Sequence, residues 1–229
     1  MKYYVLLERK ERGCPVGSMQ GIIYDEFVED VEALEYWVKP WYNQFDDREI
    51  IFPGEMFLIS RDKLILYDVR SGGAGSKFNL VSLEFLRVLV DFDVHLREMQ
   101  PLHVVDRHGV CISKREYRII SFARDVYESA EGVVKESSIL MPDEFGGQFS
   151  IESISIKAGV NRDLFKIKNI YSGQDPIFCS ERFVDEVKVR QVDAGIEFRR
   201  IEEIDWASTT LSNSMDFLKN DSEPLLFIH

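Results

Sequence analysis

Histidine and cysteine are scarce in this 229-residue chain, which holds four of the first and three of the second. Cys14, Cys111 and Cys179 are odd in number and never take the paired spacing that holds zinc or frames a disulfide scaffold. A cysteine-stapled secreted domain is therefore excluded, and the expected compartment is the reducing cytoplasm. No stretch reaches the roughly 18 apolar residues that a membrane-spanning helix needs, so no membrane partner is expected. The opening MKYYVLLERKERG regains charge at Glu8, too early for the apolar core of a signal peptide. Positive charge is short as well: 28 Lys and Arg stand against 40 Asp and Glu, a formal net charge of −12. A surface of that sign repels phosphate, which argues against direct nucleic-acid binding. It serves solubility, and it suits a basic macromolecular partner. Internal repeats and low-complexity tracts are not visible.

What the chain does have is apolar and aromatic bulk. Hydrophobic residues make up 45% of it, with 16 Phe, 9 Tyr and 3 Trp, enough for one sizeable core or two modest ones. Residues 2–7 read as a first strand. YDEFVEDVEALEYWVKPW places Phe27, Val31, Leu34 and Val38 on one stripe, which predicts a helix ended by Pro40. MFLISRDKLILYDV holds two apolar runs about RDK and predicts a hairpin. RSGGAGSKFN then breaks the pattern and marks a divide: an N-terminal α/β subregion over 1–79 and a C-terminal α+β domain over 80–229. LVSLEFLRVLVDF predicts a short helix with Leu83, Leu86 and Val90 inward. LHVV and VCIS flank a DRHG turn, and EYRIISF is a further strand.

IESISIK alternates with Ile154 and Ile156 inward. DLFKIKN alternates with Phe165 and Ile167 inward and with Lys166 and Lys168 outward. In DPIFCSERFVDEVKVRQVDAGIEFRRI a strand meets Ser180 as N-cap, and Phe183, Val184 and Val187 line one helix face. Gly195 in DAG closes the element before a last strand. Trp206, Leu211 and Phe217 are expected to dock the tail. The fold class is α+β: a mainly antiparallel sheet with packed helices and a C-terminal strand–helix–strand unit.

Catalytic constellations do not emerge. His103, Asp106 and His108 lie around one turn, with His103 and Asp106 on opposite strand faces. The loop from Gly72 to Lys77 departs from the phosphate-loop pattern, because Ser76 precedes Lys77 and Phe78 follows it. Ser82 and Cys179 lack a nucleophile elbow. No catalytic residue, metal ligand or cofactor is assigned. One surface feature stands out: Asp25, Glu26, Glu29, Asp30, Glu32 and Glu35, with no basic residue among them. Trp37 and Trp41 follow, and aromatic anchors beside charge suit an interface. These eight residues are the candidate binding face.

The segments SLEFLRVLVDFDV, MQPLHVVDRHG, YRIISFARDVYESAE, RDLFKIKN, PIFCSERFVDEVK and DAGIEFRRI occur in an order that resembles a family of polymorphic-toxin immunity proteins, the immunity-protein-eleven type. The matching residues are Leu164, Phe165, Ile167, Ser180, Gly195, Ile196 and Phe198; Ala194-Gly195 stands where that family has Thr-Gly. The resemblance implies a cytoplasmic antidote that binds and occludes the C-terminal domain of a cognate antibacterial toxin, with no catalysis. The net charge favours a basic toxin domain. Competing readings are a small hydrolase or transferase using His103, Asp106 or His108, a nucleotide-responsive regulator using the Gly72 loop, and a self-assembling adaptor.

Overall fold

The chain begins with a strand that belongs to its end. In the computed structural model, which describes residues 1–17, 21–31, 35, 39–42, 51–72, 78–142, 149–170 and 176–206, strand β1 (Tyr3–Glu8) is laid down first. There follow β2 (Gly21–Tyr24), β3 (Met56–Ser60), β4 (Val69–Ser71), β5 (Asn79–Ser82), helix α1 (Leu83–Asp91), β6 (Leu96–Asp106), β7 (Tyr117–Phe122) and β8 (Tyr127–Glu128). The rest are α2 (Ala130–Val133), β9 (Ile139–Pro142), β10 (Phe149–Ser153), β11 (Leu164–Ile167), β12 (Ile177–Ser180), α3 (Glu181–Val189) and β13 (Ile196–Arg200). One sheet has the order β2-β3-β6-β7-β5-β4, a second β13-β1-β12-β11-β8, and β9 and β10 form a separate ribbon. Among the described strand pairs only β3–β6 and β8–β11 are parallel. The fold is α+β, mainly antiparallel, with packed helices and a β12–α3–β13 unit near its end, as the sequence pattern predicts.

The two large sheets repeat one unit. In each, an aspartate (Asp68 or Asp163) precedes a strand that pairs antiparallel with the next, β4 with β5 and β11 with β12. The second strand ends on a serine that caps a helix. Ser82 Oγ accepts the Phe85 N–H at 3.1 Å, and Ser180 Oγ accepts the Phe183 N–H at 3.2 Å. Each hydroxyl donates to its own aspartate at 2.6 Å. Each serine N–H donates to that aspartate's carbonyl at 2.8 Å. Both helices end on a non-glycine residue with left-handed backbone at the same distance from the serine, Asp93 (φ 52) and Gln191 (φ 57). The closing hydrogen bonds correspond too: Val94 N–H to the Leu89 carbonyl at 2.9 Å, Val192 N–H to that of Val187 at 3.1 Å. The strand after each helix pairs with one that opens on a tyrosine opposite the serine, β7 at Tyr117 or β1 at Tyr3. The strand orders β6-β7-β5-β4 and β13-β1-β12-β11 are therefore equivalent.

The helices bring the two units together. Phe183 meets Phe85 and Phe92 edge-on, with ring centroids 6.1 and 5.1 Å apart, and Arg190 pairs with Asp91 at 2.6 Å. Burying each such phenylalanine is worth about 1.5–3 kcal/mol. Beside this core the Asp68 side chain, 0% exposed, accepts the Ser82 hydroxyl, the Arg115 guanidinium and the Ala194 N–H. The Asp68 N–H donates to the Ala194 carbonyl at 2.8 Å. A buried carboxylate thus ties the first unit to the turn that leads into β13.

That turn needs its glycine. Gly195 has φ +73, and a Cβ there would lie 3.0 Å from the Cβ atoms of Cys14 and Tyr67. Its N–H also donates to the Glu11 carboxylate, which holds Glu11 below the usual carboxylate range. Gly195→Ala is expected to lower stability by about 2 kcal/mol, through left-handed strain and overpacking. Chemical denaturation with an unchanged slope would check it.

Several local expectations fail for tertiary reasons. Residues 25–30 are bends and open chain rather than helix, and Pro40–Tyr42 is a single 3-10 turn. RDK does not close a hairpin; β3 pairs with β2 and β6 instead, and Leu66 N–H donates to the Gly13 carbonyl at 2.7 Å. Lys166 does not point outward: it is 1% exposed, with its ammonium 5.5 Å from the Phe122 ring centroid and 5.3 Å from that of Tyr127. A strand buried on both faces leaves alternation no outside. Helix α1 turns Phe85, Leu86, Val88 and Leu89 inward and leaves Val90 65% exposed. Helix α3 buries Phe183, Val184 and Val187 as expected, but Gln191, not Gly195, ends it. Trp206 docks, stacked on Phe178 at 6.4 Å between centroids; Leu211 and Phe217 lie outside the described residues. Residues 73–77 of the glycine-rich loop lie outside them too.

Candidate functional site

The acidic segment is a strap laid on a sheet. Phe27 and Val31 pack on Ile22, Ile59 and Val105, on the outer face of β2, β3 and β6. Gly109 (φ +76) makes room, since a Cβ there would lie 3.3 Å from the Phe27 ring. The strap returns beneath β2, where the Trp41 indole N–H donates to the Ile23 carbonyl at 3.1 Å and the Tyr42 hydroxyl accepts the Ile23 N–H at 2.5 Å. Trp41 is 2% exposed. It anchors the strap to the core and presents no surface to a partner.

The carboxylates divide into two kinds. Asp25 is neutralised by Lys39, whose ammonium lies 2.7 and 2.9 Å from its two oxygens and 4.2 Å from the Tyr24 ring centroid. Burial would push the Lys39 pKa down, but the hydrogen bond and charge of Asp25 outweigh it and leave the pKa raised. Glu26, Glu29, Asp30 and Glu35 are exposed. Among the described residues Glu26, Glu29 and Glu35 have no ion-pair partner. Glu32 and Trp37 lie outside the described residues.

Glu29 and Asp30 form one wall of a groove of about 760 Å³. The groove is lined as well by Arg61, Asp62 and Lys63 after β3 and by Asp106, Arg107 and His108 at the end of β6. The groove is therefore mixed in charge, with the acidic strap as its rim. The sequence read DRHG as a turn and RDK as a hairpin connection, with no sign that the two lie together beside the strap. Lys39 as the partner of Asp25 was equally hidden, because it lies outside the acidic window.

Among the described residues the histidines make no catalytic group. The Asp106 carboxylate accepts the N–H groups of Val110 (2.9 Å) and His108 (2.8 Å), which hold it below the usual range and commit it to its turn. His103 lies on another face of the strand, stacked on Phe57 at 4.9 Å with Nε2 3.1 Å from Glu55. Burial pushes the Cys14 thiol up to about 11, helped by Glu11, and burial raises Cys179 further still, so neither is a ready nucleophile. Among the described residues no group of three or more His, Cys, Asp or Glu could hold a metal ion.

His95 is a surface exception without chemistry. Its Nδ1 lies 2.6 Å from Asp125 and its Nε2 3.5 Å from Asp93, and the Asp125 hydrogen bond raises its pKa from 6.5. A raised folded pKa gives stability that is full below 6.5 and is lost as pH rises through the folded value. An NMR titration should place His95 above the ordinary histidine range, and Asp125→Asn should return it toward that range.

The comparisons agree with a binding role. The family model described as Immunity protein 43 (Imm43) matches residues 7–208. This overturns the immunity-protein-eleven resemblance: the segments that carried it, from Val81 to Ile201, fall inside a match to a different immunity family. Strand–serine–helix units recur by packing logic, and their order alone did not separate the two families. No curated protein matches.

Proposed function

Because the chain belongs to the Immunity protein 43 family, we propose that it neutralises its cognate toxin by covering that toxin domain's working surface with the face built around the acidic strap. Members of such families are the non-catalytic partners of polymorphic toxins in interbacterial competition. The observation that carries the surface is the division of labour in residues 25–35. Phe27 and Val31 are spent on the sheet, while Glu26, Glu29 and Glu35 stand exposed, Glu29 of them lining a groove. Like charges left unrelieved disfavour the free protein slightly and attract an oppositely charged surface. The toxin domain is accordingly assigned as basic, and the cytoplasm as the place of encounter. The three free cysteines suit that compartment.

Co-expression tests the reading. The toxin domain encoded beside this chain is expected to arrest growth alone and to be harmless beside the native protein. A toxin that stays lethal in the presence of folded protein would remove the basis for the proposal.

A further inference from the structure

The two equivalent units differ at one edge. In the first, β6 is not the sheet's last strand: β3 pairs with it in parallel, and β2 continues beyond. In the second, the equivalent strand β13 ends the sheet among the described residues. Among the described residues, the same architecture that holds two further strands at one site holds none at the other. A bare edge offers a row of backbone donors and acceptors, which proteins normally blunt with proline, a bulge or extreme shortness. Strand β13 has none of these, and its charged side chains, which on an edge also deter pairing, are of both signs. It runs for five residues without proline, and its register on β1 is unbroken from Tyr4↔Arg200 to Glu8↔Ile196.

The side chains say what fits there. Glu197, Phe198 and Arg199 are consecutive, and the two charged groups lie on one face about Phe198. Arg199 already reaches Glu197 within the chain, at 2.7 Å, with both side chains about 40% exposed. A strand of the same sequence, antiparallel and with Phe198 opposite Phe198, places each Glu197 opposite an Arg199. Registers centred on Glu197 or on Arg199 set like charges face to face, which destabilises a strand pair. A two-fold interface requires this kind of self-complementarity.

We propose that β13 is a self-association edge, where a second copy of this chain attaches by antiparallel pairing centred on Phe198. The two sheets then continue as one across the axis. Each copy carries a formal charge of −12, so long-range repulsion opposes the encounter. The pairing is favoured where salt screens beyond about 8 Å, near physiological ionic strength.

Sedimentation velocity of the full chain at that ionic strength, across a concentration series, is the test. The native protein is expected to pass from monomer to dimer. Glu197→Arg and Arg199→Glu should each weaken self-association at least tenfold, because each sets two like-charged pairs across the axis. An equal mixture of the two variants should recover the dimer, since every pair is then opposite in charge. Circular dichroism and melting would confirm that each variant folds. If one does not, amide exchange of residues 196–200 in the native protein gives an independent reading: protection should rise with concentration. A native chain that stays monomeric throughout, single variants that dimerise like the native, or exchange indifferent to concentration would overturn the proposal.

Discussion

Replacing Asp68 by alanine is expected to lower the unfolding free energy by about 3–5 kcal/mol, the cost of breaking a buried ion pair by removing one partner. The side chain is 0% exposed, while Arg115 keeps 29% of its own in water. Three donors lose their acceptor at once: the Ser82 hydroxyl, the Arg115 guanidinium and the Ala194 N–H. Water can reach Arg115 in part, but not the Ser82 hydroxyl, on a residue that is 0% exposed. For a domain of this size that loss amounts to roughly 6–20 °C in Tm. The second unit supplies the control. Asp163 occupies the equivalent place, but its side chain is 19% exposed and that of its partner Arg182 is 73% exposed. Asp163→Ala is therefore expected to cost only about 1–2 kcal/mol. Equal losses at the two positions would show that burial of the Asp68 node is not what sets its weight.

Reversing the strap is expected to have the largest effect on function with little effect on the fold. Glu26, Glu29 and Glu35 are exposed and, among the described residues, unpaired, so lysine at all three relieves like-charge crowding and should leave the melting temperature within a degree or two. Binding to a basic toxin domain should fall about 100-fold, near 3 kcal/mol, most of it through slower association. Dependence on salt should fall with it. By contrast, Trp41→Ala should unsettle the strap and the core together, because that ring is buried and its N–H holds the Ile23 carbonyl. The two variants separate a residue that meets the partner from one that shapes the surface.

Sequence pattern reached the second half of the chain better than the first, for a physical reason. In residues 177–201 local signals agree with tertiary demands: Ser180 caps, Phe183, Val184 and Val187 turn inward, and Ile196 is buried in the strand that follows. In the strap they conflict. Helical spacing of Phe27 and Val31 is present, but no base sits among the carboxylates to support a helix, and the apolar sheet face at Ile59 and Val105 captures both residues. The repeat was hidden because its shared residues are few and far apart. Asp, Ser, Phe and Tyr recur, yet the tyrosine strand follows its helix in one unit and stands at the start of the chain in the other. Lys166 misleads in a different way, since alternation implies a wet face that a central strand does not have. The acidic residues were legible as a surface. What faces them across the groove was not, because the turns at 61–63 and 106–108 are brought there only by the parallel pairing of β3 with β6.

Binding without turnover has a signature that a single titration reads. Purified protein is added to the active toxin domain at a fixed concentration well above the dissociation constant, and toxin activity is followed at low and at high salt. At low salt, activity should fall linearly and vanish at one immunity chain per toxin domain, and at high salt the endpoint should soften as the affinity drops. Toxin activity abolished by a small fraction of an equivalent, or inhibition indifferent to salt, would contradict neutralisation by a charged covering surface.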